Sequence, residues 1–446
     1  MARMFGTDGV RGIANVELTP ELAFKLGYAA ATYFGREVAQ PKILIGRDTR
    51  RSGVMLECAL VAGICSAGGD AHSLGVICTP AVSYLTPIAK AQAGVVISAS
   101  HNPFEDNGIK FFSSNGFKLP DAVEDEIEAL VRTPIDYSKA ASGSKVGKLF
   151  YEYNLATKYV QHIIDSASVR LRGLKVVMDC SNGANSEMAP VILRSLGADV
   201  TVIFDQPDGD NINNGCGSTH LEALQRKVVE VGANLGIAND GDADRCLAVD
   251  ENGEALDGDQ IMLICALELQ KRHKLNDNML VTTVMSNIGL HKAMKEHGGQ
   301  SVKTAVGDRY VLEEMLKHNY SIGGEQSGHI IFSEFAKTGD GILTAVQLMC
   351  AMVNNNKPLS ELAHMMTKYP QVLVNVRVKD KSGWEENQAI KKIVAHYTEE
   401  LSGDGQILVR ASGTEPLIRI MAEGPDQVRL DFIANEIAKV VSNELR

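Results

Sequence analysis

The sequence predicts an α/β fold with three similar mixed-sheet α/β units, followed by a separate C-terminal α+β domain. Three observations lead to this prediction. The 446 residues are more than one ordinary hydrophobic core accommodates. Short apolar segments alternate with helical patterns through about the first 370 residues, as in β-α-β units. The tail then changes to the period-two pattern of half-buried strands.

The first unit alternates helices with short apolar strands. Thr19 is a suitable N-cap and Pro20 suits a first helical position, so a helix begins here and closes near Gly35. The other predicted elements are a strand at 42–46, a helix at 52–69, and strands at 71–80 and 94–100.

The same architecture recurs along the chain without a strict sequence repeat. The second unit has strands at 174–180, 198–204 and 234–238 and a helix near 186–196. The third has helices at 259–273 and near 288–297, and strands at 279–283, 301–304 and 321–324. The tail has strands at 371–378, 406–412 and 417–423, and helices at 384–401 and from 425. We therefore expect domains at 1–150, 151–253, 254–369 and 370–446.

The composition excludes several classes of protein. Apolar residues make up 45% and charged residues 22%, which is typical of folded globular proteins. The net charge of −11 argues against nucleic-acid binding. No apolar run approaches the roughly 20 residues of a membrane helix, so we expect no membrane association. The first residues resemble no secretion signal and the eight cysteines form no C-x-x-C pair, which predicts reduced thiols and a cytoplasmic location.

The first candidate site is the serine loop, residues 98–103 (SASHNP), which follows a predicted strand. Ser, Asn and Pro are turn residues, so a plain turn is one interpretation. Ligands bind at the carboxyl ends of strands in open α/β sheets, which makes Ser100 a candidate nucleophile. The adjacent His101 invites comparison with serine hydrolases. Neighbours on an extended chain point apart, however, and this serine has no G-x-S-x-G elbow, which argues against that class.

The second candidate is the aspartate loop, residues 240–245 (DGDADR), between two predicted strands. Asp240, Asp242 and Asp244 alternate, so they would share one side of an extended stretch. Two such charges 4 Å apart repel by about 4 kcal/mol at an effective dielectric of 20. A divalent cation relieves this repulsion, and Mg²⁺ is the simplest choice, with a solvated acidic turn as the alternative. An EF-hand is excluded because Arg245 occupies the position of its glycine.

The glutamate loop, residues 323–329 (GGEQSGH), is the third candidate. Its glycines permit close approach of the backbone to a ligand. Glu325 and Ser327, two residues apart, could bind neighbouring hydroxyls of a sugar, and the carboxylate also suits a protonated amine. A glycine-rich turn with a capping serine explains the same residues equally well.

The fourth candidate is the arginine loop, residues 410–416 (RASGTEP), together with a nearby arginine. Hydroxyls, an open backbone and two cations would form a phosphate site with charge-assisted hydrogen bonds. The alternative is a hairpin turn with solvated arginines. The candidate residues are Arg410, Ser412, Gly413, Thr414 and Arg419.

Together the four loops indicate phosphoryl transfer on a substrate with two ends. The serine loop offers a nucleophilic hydroxyl, and the aspartate loop offers a metal site. The glutamate loop could bind sugar hydroxyls, and the arginine loop offers a distant phosphate site. In such transfer the protein supplies positioning and charge stabilisation.

In this order and spacing, the four loops resemble the signature loops of the α-D-phosphohexomutase superfamily, one per domain. The segment 5–12 (FGTDGVRG) and Gln326 are similar to the branch that acts on glucosamine phosphates. The resemblance covers essentially the whole chain. It implies four domains around a central cleft and interconversion of glucosamine 6-phosphate and glucosamine 1-phosphate for amino-sugar and cell-wall precursors. Bacterial members of the superfamily suggest a homodimer.

The resemblance also implies roles for individual residues. Ser100 would carry the phosphoryl group, with glucosamine 1,6-bisphosphate as the intermediate and activator. Lys110 matches the family's general base, and a lowered pKa would suit a desolvated lysine beside other cations. Mg²⁺ would be bound by Asp240, Asp242, Asp244 and an oxygen of phosphorylated Ser100, with Arg11, His101 and Arg245 in the catalytic set. Glu325 and Ser327 would hold the sugar, and Arg410, Ser412, Gly413, Thr414 and Arg419 the phosphate that is not reacting.

Three alternatives remain open. The same chemistry on glucose or mannose phosphates is the nearest, although Gln326 and the segment 5–12 argue against it. A metal-dependent phosphatase would share the serine and the aspartates but would not need a site that binds the sugar in two orientations. A non-catalytic sugar-phosphate sensor would not need to keep Ser100 and three aspartates.

Overall fold

The computed structural model describes residues 3–6, 8–401, 403–412 and 416–445. The first unit has a mixed sheet in which β4 and β1 both run antiparallel to β5, and the other pairings are parallel. Its strand order is β1-β5-β4-β2-β3-β6. The strands are β1 (Val10–Ile13), β2 (Lys42–Arg47), β3 (Asp70–Val76), β4 (Ala93–Ile97), β5 (Asp106–Ser113) and β6 (Leu149–Tyr151). The helices are α1 (Pro20–Phe34), α2 (Ser52–Ser66), α3 (Thr79–Ile88) and α4 (Asp121–Arg132).

Three predicted elements of the first unit end earlier than expected, among them the helix at 52–69, which ends at Ser66. The predicted strand at 71–80 ends at Val76, and α3 begins at Thr79. The predicted strand at 94–100 ends at Ile97, and every residue of β4 is buried. Thr19 caps α1 as predicted, since its side chain accepts a hydrogen bond from the amide of Leu22 at 3.2 Å.

The second and third units also have mixed sheets. Their described strands form sheets in the orders β11-β10-β9-β7-β8 and β13-β12-β14-β15. The second unit comprises α5 (Ala156–Ser166), β7 (Lys175–Asp179), α6 (Met188–Ser195), β8 (Asp199–Ile203), α7 (Glu222–Val231), β9 (Leu235–Asn239), β10 (Cys246–Asp250) and β11 (Ala255–Leu256). The third comprises α8 (Gly258–Lys271), β12 (Met279–Thr283), α9 (Ile288–Glu296), β13 (Gln300–Thr304), α10 (Asp308–His318), β14 (Ile322–Gly324), β15 (Ile330–Phe332), α11 (Gly341–Asn355) and α12 (Leu359–Ala363).

The C-terminal unit is an antiparallel sheet covered by helices. Its strands have the order β16-β18-β17 and are β16 (Gln371–Arg377), β17 (Gln406–Ala411) and β18 (Leu417–Glu423). The helices are α13 (Gln388–Glu400) and α14 (Gln427–Glu444). This unit has its own apolar cluster, whereas one large cluster runs through the first three units. The predicted class, three mixed-sheet α/β units and an α+β tail, is confirmed.

Among the described residues, no helix combines the length and apolar character needed to cross a bilayer.

Candidate functional site

Ser100 lies just beyond the carboxyl end of β4, where the chain turns sharply. Its φ is +54°, in the left-handed region, so it is not extended as the sequence analysis assumed. The turn directs the side chain inward: Ser100 is 2% exposed, and its Oγ donates to Asp240 Oδ2 at 2.5 Å. It also brings His101 Nδ1 to 3.3 Å from this Oγ. The expectation that these two side chains point apart was therefore wrong.

A buried ion pair, Asp48 with Arg50, holds the serine loop in place. The two side chains are fully buried and 2.9 Å apart. Arg50 Nη2 donates to the carbonyl of Ser100 at 2.9 Å, and Asn213 Nδ2 of the second unit donates to the same carbonyl at 2.9 Å. Sequence reasoning did not find these residues. Asp48 and Arg50 follow β2 at the edge of the sheet where ligands bind, a position that could have drawn attention to them.

The three aspartates of the aspartate loop meet beside Ser100. One carboxylate oxygen from each of Asp240, Asp242 and Asp244 lies within 4.8 Å of the others, and all three residues are buried. The loop is a turn rather than the predicted extended stretch, because Ala243 has a φ of +58°. The three carboxylates converge nonetheless, as the alternation of acidic residues predicted.

The donor set of this cluster fits a hard divalent cation. The Oδ1 atoms of Asp242 and Asp244 are buried and have no hydrogen-bond partner among the described residues. Buried charge without a partner is costly, and oxygen-only ligands are those that Mg²⁺ prefers. Burial and the charges of Asp244 and Asp242 raise the pKa of Asp240 well above its usual value. A cation bound among the three carboxylates would remove this repulsion.

Lys110, on β5, contacts two carboxylates. Its Nζ lies 2.8 Å from Asp242 Oδ2 and 2.9 Å from Asp8 Oδ2, and its side chain is 3% exposed. Burial disfavours the ammonium charge, but Asp242 and Asp8 raise the pKa of Lys110 above its usual value. The predicted lowering of this pKa was wrong, because anions rather than cations dominate the surroundings of the amine. Lys110 is therefore charged.

Ionic contacts continue from Lys110 through the third unit and return to the aspartate loop. Burial opposes a charge on His329, but Asp244 and Asp308 raise the pKa of His329 to about 10. Gly339 N donates to His329 Nε2 at 2.9 Å, which opposes a proton on that nitrogen, whereas Asp244 near Nδ1 and Asp308 near Nε2 favour a charged ring. In order, the contacts are Asp8–Lys118 at 2.9 Å, Lys118–Asp308 at 2.7 Å, Asp308–His329 at 3.3 Å and His329–Asp244 at 3.6 Å. This chain of alternating charges joins the first three units around the aspartates.

Two arginines place positive charge near the serine loop. Arg245 donates its backbone N–H to Asp240 Oδ1 at 3.2 Å, and its Nε is buried with no hydrogen-bond partner among the described residues. Arg11 forms an ion pair with Asp8. Burial and these two arginines lower the pKa of His101 to about 4, so its ring is neutral at pH 7. Local positive charge of this kind suits a bound phosphate dianion.

The glutamate loop lies against the start of α8 and the start of β10. Gly258 N donates to Gln326 O at 2.9 Å, and Cys246 N donates to Gly328 O at 3.0 Å. A Cβ at position 258 would lie 2.3 Å from Glu325 O, so only glycine permits this close approach.

The two predicted sugar-binding side chains differ in their partners. Glu325 Oε1 accepts a hydrogen bond from Gly307 N at 3.0 Å. Ser327 Oγ is buried and has no hydrogen-bond partner among the described residues. A buried hydroxyl without a partner is costly, and a polar ligand would satisfy it.

The arginine loop connects β17 with β18. Arg410 and Arg419 lie directly opposite each other on these strands, an arrangement of like charges that an anion would stabilise. Burial and Arg419 lower the pKa of Arg410, while the nearby charge of Glu325 opposes this effect. Ser412 is 4% exposed. Gly413 and Thr414 lie outside the described residues.

Direct contacts join the serine, aspartate and glutamate loops, and Arg410 of the arginine loop is related to them electrostatically. The serine and aspartate loops share the Ser100–Asp240 contact, and His329 of the glutamate loop reaches Asp244. The charge of Glu325 acts on both Arg245 and Arg410, which relates the glutamate loop to the aspartate and arginine loops.

Comparisons with known proteins agree with this architecture. Family models described as phosphoglucomutase/phosphomannomutase α/β/α domains I, II and III match residues 2–137, 157–253 and 257–369. The model of the C-terminal domain of the same family matches residues 373–440. Among solved structures, a phosphoglucomutase/phosphomannomutase family protein of Burkholderia thailandensis superposes with a TM-score of 0.82 at 22% identity, covering 99% of this chain and 98% of its own. N-acetylphosphoglucosamine mutase of Aspergillus fumigatus superposes with a TM-score of 0.72 at 18% identity, covering 99% of this chain and 96% of its own.

Curated relatives match the chain from end to end. Phosphoglucosamine mutase of Symbiobacterium thermophilum is 57% identical over 449 residues, with both proteins covered completely. Phosphoglucosamine mutase of Brevibacillus brevis is 52% identical over 447 residues, again with complete coverage of both. The resemblance found in the four loops is thus confirmed, and the chain belongs to the phosphoglucosamine mutases of the phosphoglucomutase/phosphomannomutase, or α-D-phosphohexomutase, superfamily.

Proposed function

We propose that this enzyme interconverts glucosamine 6-phosphate and glucosamine 1-phosphate through a phosphorylated Ser100 and a 1,6-bisphosphate. One observation carries the proposal: the buried Ser100 Oγ lies 2.5 Å from Asp240, at the edge of a buried three-aspartate cluster. This is where a serine-bound phosphoryl group could share a cation with the carboxylates. The full-length relatives named phosphoglucosamine mutase support the choice of substrate.

Mg²⁺ is the proposed ion. Asp240, Asp242, Asp244 and an oxygen of phosphorylated Ser100 would hold it. Buried oxygens of Asp242 and Asp244, which have no hydrogen-bond partner in the part of the chain that the structure describes, support this ligand set. The Aspergillus fumigatus N-acetylphosphoglucosamine mutase structure contains GlcNAc-6P and magnesium. When bound, such an ion neutralises charge on the phosphoryl oxygens during transfer.

The remaining residues would move one proton and stabilise charge. In the first half of the reaction, the bond between phosphorus and Ser100 Oγ breaks as a bond to the sugar oxygen forms. Overall, the proton of the sugar hydroxyl is transferred to Ser100 Oγ. We propose that charged Lys110, held against Asp242, gives its proton to the leaving Oγ and regains one from the sugar hydroxyl. The second half runs the same steps in reverse at the other end of the sugar.

The site must bind the bisphosphate intermediate in both of its orientations. Glu325 and Ser327, whose hydroxyl has no hydrogen-bond partner within the described ranges, would hold sugar hydroxyls in either orientation. Arg11 and Arg245, beside a neutral His101, would offset the charge of the reacting phosphoryl group. The phosphate that is not reacting would be bound by Arg410, Ser412, Gly413, Thr414 and Arg419.

The central test is the covalent state of Ser100. Incubation with glucosamine 1,6-bisphosphate should add one phosphoryl group to the protein, measured by intact mass spectrometry and located by peptide mapping. Ser100→Ala should take up none and lose at least about 1000-fold in mutase activity. Ser113→Ala, in the same unit but away from the aspartates, should retain both properties. Normal isomerisation by Ser100→Ala would refute the mechanism.

Substrate preference is tested separately. The ratio of kcat/KM values should favour glucosamine 6-phosphate over glucose 6-phosphate and mannose 6-phosphate. A preference for mannose 6-phosphate would assign the protein to the phosphomannomutase alternative. Release of free phosphate as fast as isomerisation would favour the metal-dependent phosphatase.

We also propose that the four domains meet near residues 150, 253 and 369. The family models, which end or begin at 137 and 157, 253 and 257, and 369 and 373, support this division.

A further inference from the structure

We propose that Arg50 and Asn213 are positioning residues that hold Ser100 in its left-handed conformation, so that Oγ keeps one place against Asp240 in both halves of the reaction. This inference rests on the proposed phosphoserine mechanism. Neither side chain contacts Oγ, and both act on the backbone of the serine loop.

Arg50 binds the carbonyls of the serine loop from a fully buried position. Its Nη2 donates to the carbonyls of Ser100 and Asn102, each at 2.9 Å, and its Nη1 donates to the carbonyl of Pro103. A planar guanidinium has several donors in a fixed geometry, so one side chain can fix three carbonyls at once. The carbonyl direction at residue 100 is thereby determined.

The amide of Ser100 is tied to the same ion pair. Ser100 N donates to Ser98 Oγ at 2.9 Å, and Ser98 Oγ donates to Asp48 Oδ2 at 2.6 Å. Asp48 in turn pairs with Arg50 at 2.9 Å. Both polar backbone groups of Ser100 therefore connect to Asp48–Arg50. A serine with positive φ is strained unless its surroundings hold it, and these contacts supply that restraint.

Asn213 adds a restraint from the second unit. Its Nδ2 donates to the carbonyls of Ser100 at 2.9 Å and Asn102 at 3.1 Å, and the residue is 7% exposed. The backbone of the aspartate loop lies directly against this contact: a Cβ at Gly241 would be 2.8 Å from Ser100 O and 2.9 Å from Asn213 Nδ2. Asn213 therefore sets the serine loop relative to the aspartates.

The chemistry explains why such a restraint matters. Ser100 must donate a phosphoryl group in line to one end of the sugar and receive it in line from the other end. Displacement of a reacting atom by about 1 Å can cost on the order of 100-fold in rate. A backbone that stays fixed through both steps avoids this loss.

Asn213→Ala tests the proposal, with Asn182→Ala as the matched control. Asn182 binds residues 206–211, the stretch of the second unit that leads to Asn213. Its side chain donates to Asn211 O at 3.3 Å and accepts from Gln206 N at 3.1 Å. No described hydrogen bond joins the Asn182 side chain to the serine loop. Both variants remove a buried side-chain amide of the second unit, but only Asn213→Ala removes a hydrogen bond to Ser100.

The readout is single-turnover transfer from the phosphorylated enzyme to glucosamine 6-phosphate, together with steady-state kinetics and Tm. We expect Asn213→Ala to lower the transfer rate and kcat about 10- to 100-fold, with KM changed less than about threefold. Asn182→Ala should lower Tm at least as much and transfer at a rate close to that of the unchanged protein. Arg50→Lys keeps a positive charge for Asp48 but loses the guanidinium donors that bind the carbonyls of the serine loop. It should lower the transfer rate as Asn213→Ala does.

Two outcomes would overturn the inference: unchanged transfer in Asn213→Ala, or equal slowing in Asn213→Ala and Asn182→Ala. A failure of the proposed function would give a different result: the protein without substitutions would not accept a phosphoryl group at Ser100. The inference would then fail together with the mechanism.

Discussion

The serine–aspartate side of the site and the arginine loop differ in how completely the protein has already arranged them. Ser100, Asp240 and Asp242 are at most 2% exposed and are held by contacts from the first and second units. Arg410 and Arg419 are only half-buried and face each other as like charges on neighbouring strands. In the proposed mechanism, the first region would hold one reacting atom in place, and the second would bind the phosphate that is not reacting.

This difference fits the division of labour in phosphoryl transfer. The reacting side gains from preorganised charges that need no rearrangement during the step. In the proposed mechanism, the arginine loop would accept a phosphate from either end of the sugar, which requires positive charge more than a fixed geometry. The C-terminal unit that carries the arginine loop has its own apolar cluster, and a carboxylate joins it to α9: Glu423 Oε1 accepts from Ile288 N at 2.8 Å.

The largest effect is expected on the preorganised side. Asp242→Asn removes a proposed metal ligand and the partner of Lys110 Nζ, which lies 2.8 Å away. We expect kcat to fall about 100- to 1000-fold, and a higher Mg²⁺ concentration to be needed for half-maximal activity. Asp250→Asn, at the far end of β10, is the matched control and should retain activity. Normal Mg²⁺ dependence of Asp242→Asn would show that the cluster does not bind the ion.

A smaller effect is expected in the arginine loop. Arg410→Met removes one of two facing cations, and a charge-assisted hydrogen bond is worth about 1.5–3 kcal/mol. KM for glucosamine 6-phosphate should rise about 10- to 100-fold, while phosphorylation of Ser100 remains detectable by mass. Arg377→Met, exposed on β16 of the same sheet, should leave KM unchanged. An unaltered KM in Arg410→Met would show that Arg410 does not bind the phosphate of the substrate.

The smallest effect concerns α9 of the third unit, whose first residue contacts Glu423 of the C-terminal unit. Burial and Lys303 lower the pKa of His291 to about 4, against 6.5 for an ordinary histidine. Between these values the unfolded chain binds a proton that the folded protein does not, so stability falls as pH decreases from 6.5 to 4. At pH 5 the loss from this group is about 1–2 kcal/mol.

Denaturant unfolding at pH 7 and pH 5 measures this contribution. The midpoint should fall less between the two pH values in His291→Gln than in the unchanged protein. Equal falls in the two proteins would show that His291 titrates normally in the folded state.

Much of the fold could be read from local patterns. The alternation of apolar strands and helices predicted three α/β units, and the period-two pattern predicted β16, found at Gln371–Arg377. Element ends were less accurate. The strand predicted at 94–100 stops at Ile97, because the residues that follow are held in a turn by distant partners.

The candidate site was predicted by residue type more reliably than by conformation. The alternating acidic residues indicated a metal cluster, and the carboxylates of Asp240, Asp242 and Asp244 do converge. The pKa direction of Lys110 could not be predicted, because its partners Asp8 and Asp242 are remote in sequence. His329 lay within a loop already identified, yet only the structure shows that it reaches Asp244.

The sequence by itself determined which chemical groups each loop offers and the order of the units, since both depend on neighbouring residues and their periodicity. Tertiary structure alone decided the left-handed turn at Ser100, the charge on Lys110 and the restraint by Arg50 and Asn213. The physical reason is separation along the chain: the contacts of Ser100 with Arg50, Asn213 and Asp240 span 50, 113 and 140 residues. Periodicity carries no information over such distances, and only the packing of two units against each other brings these groups together.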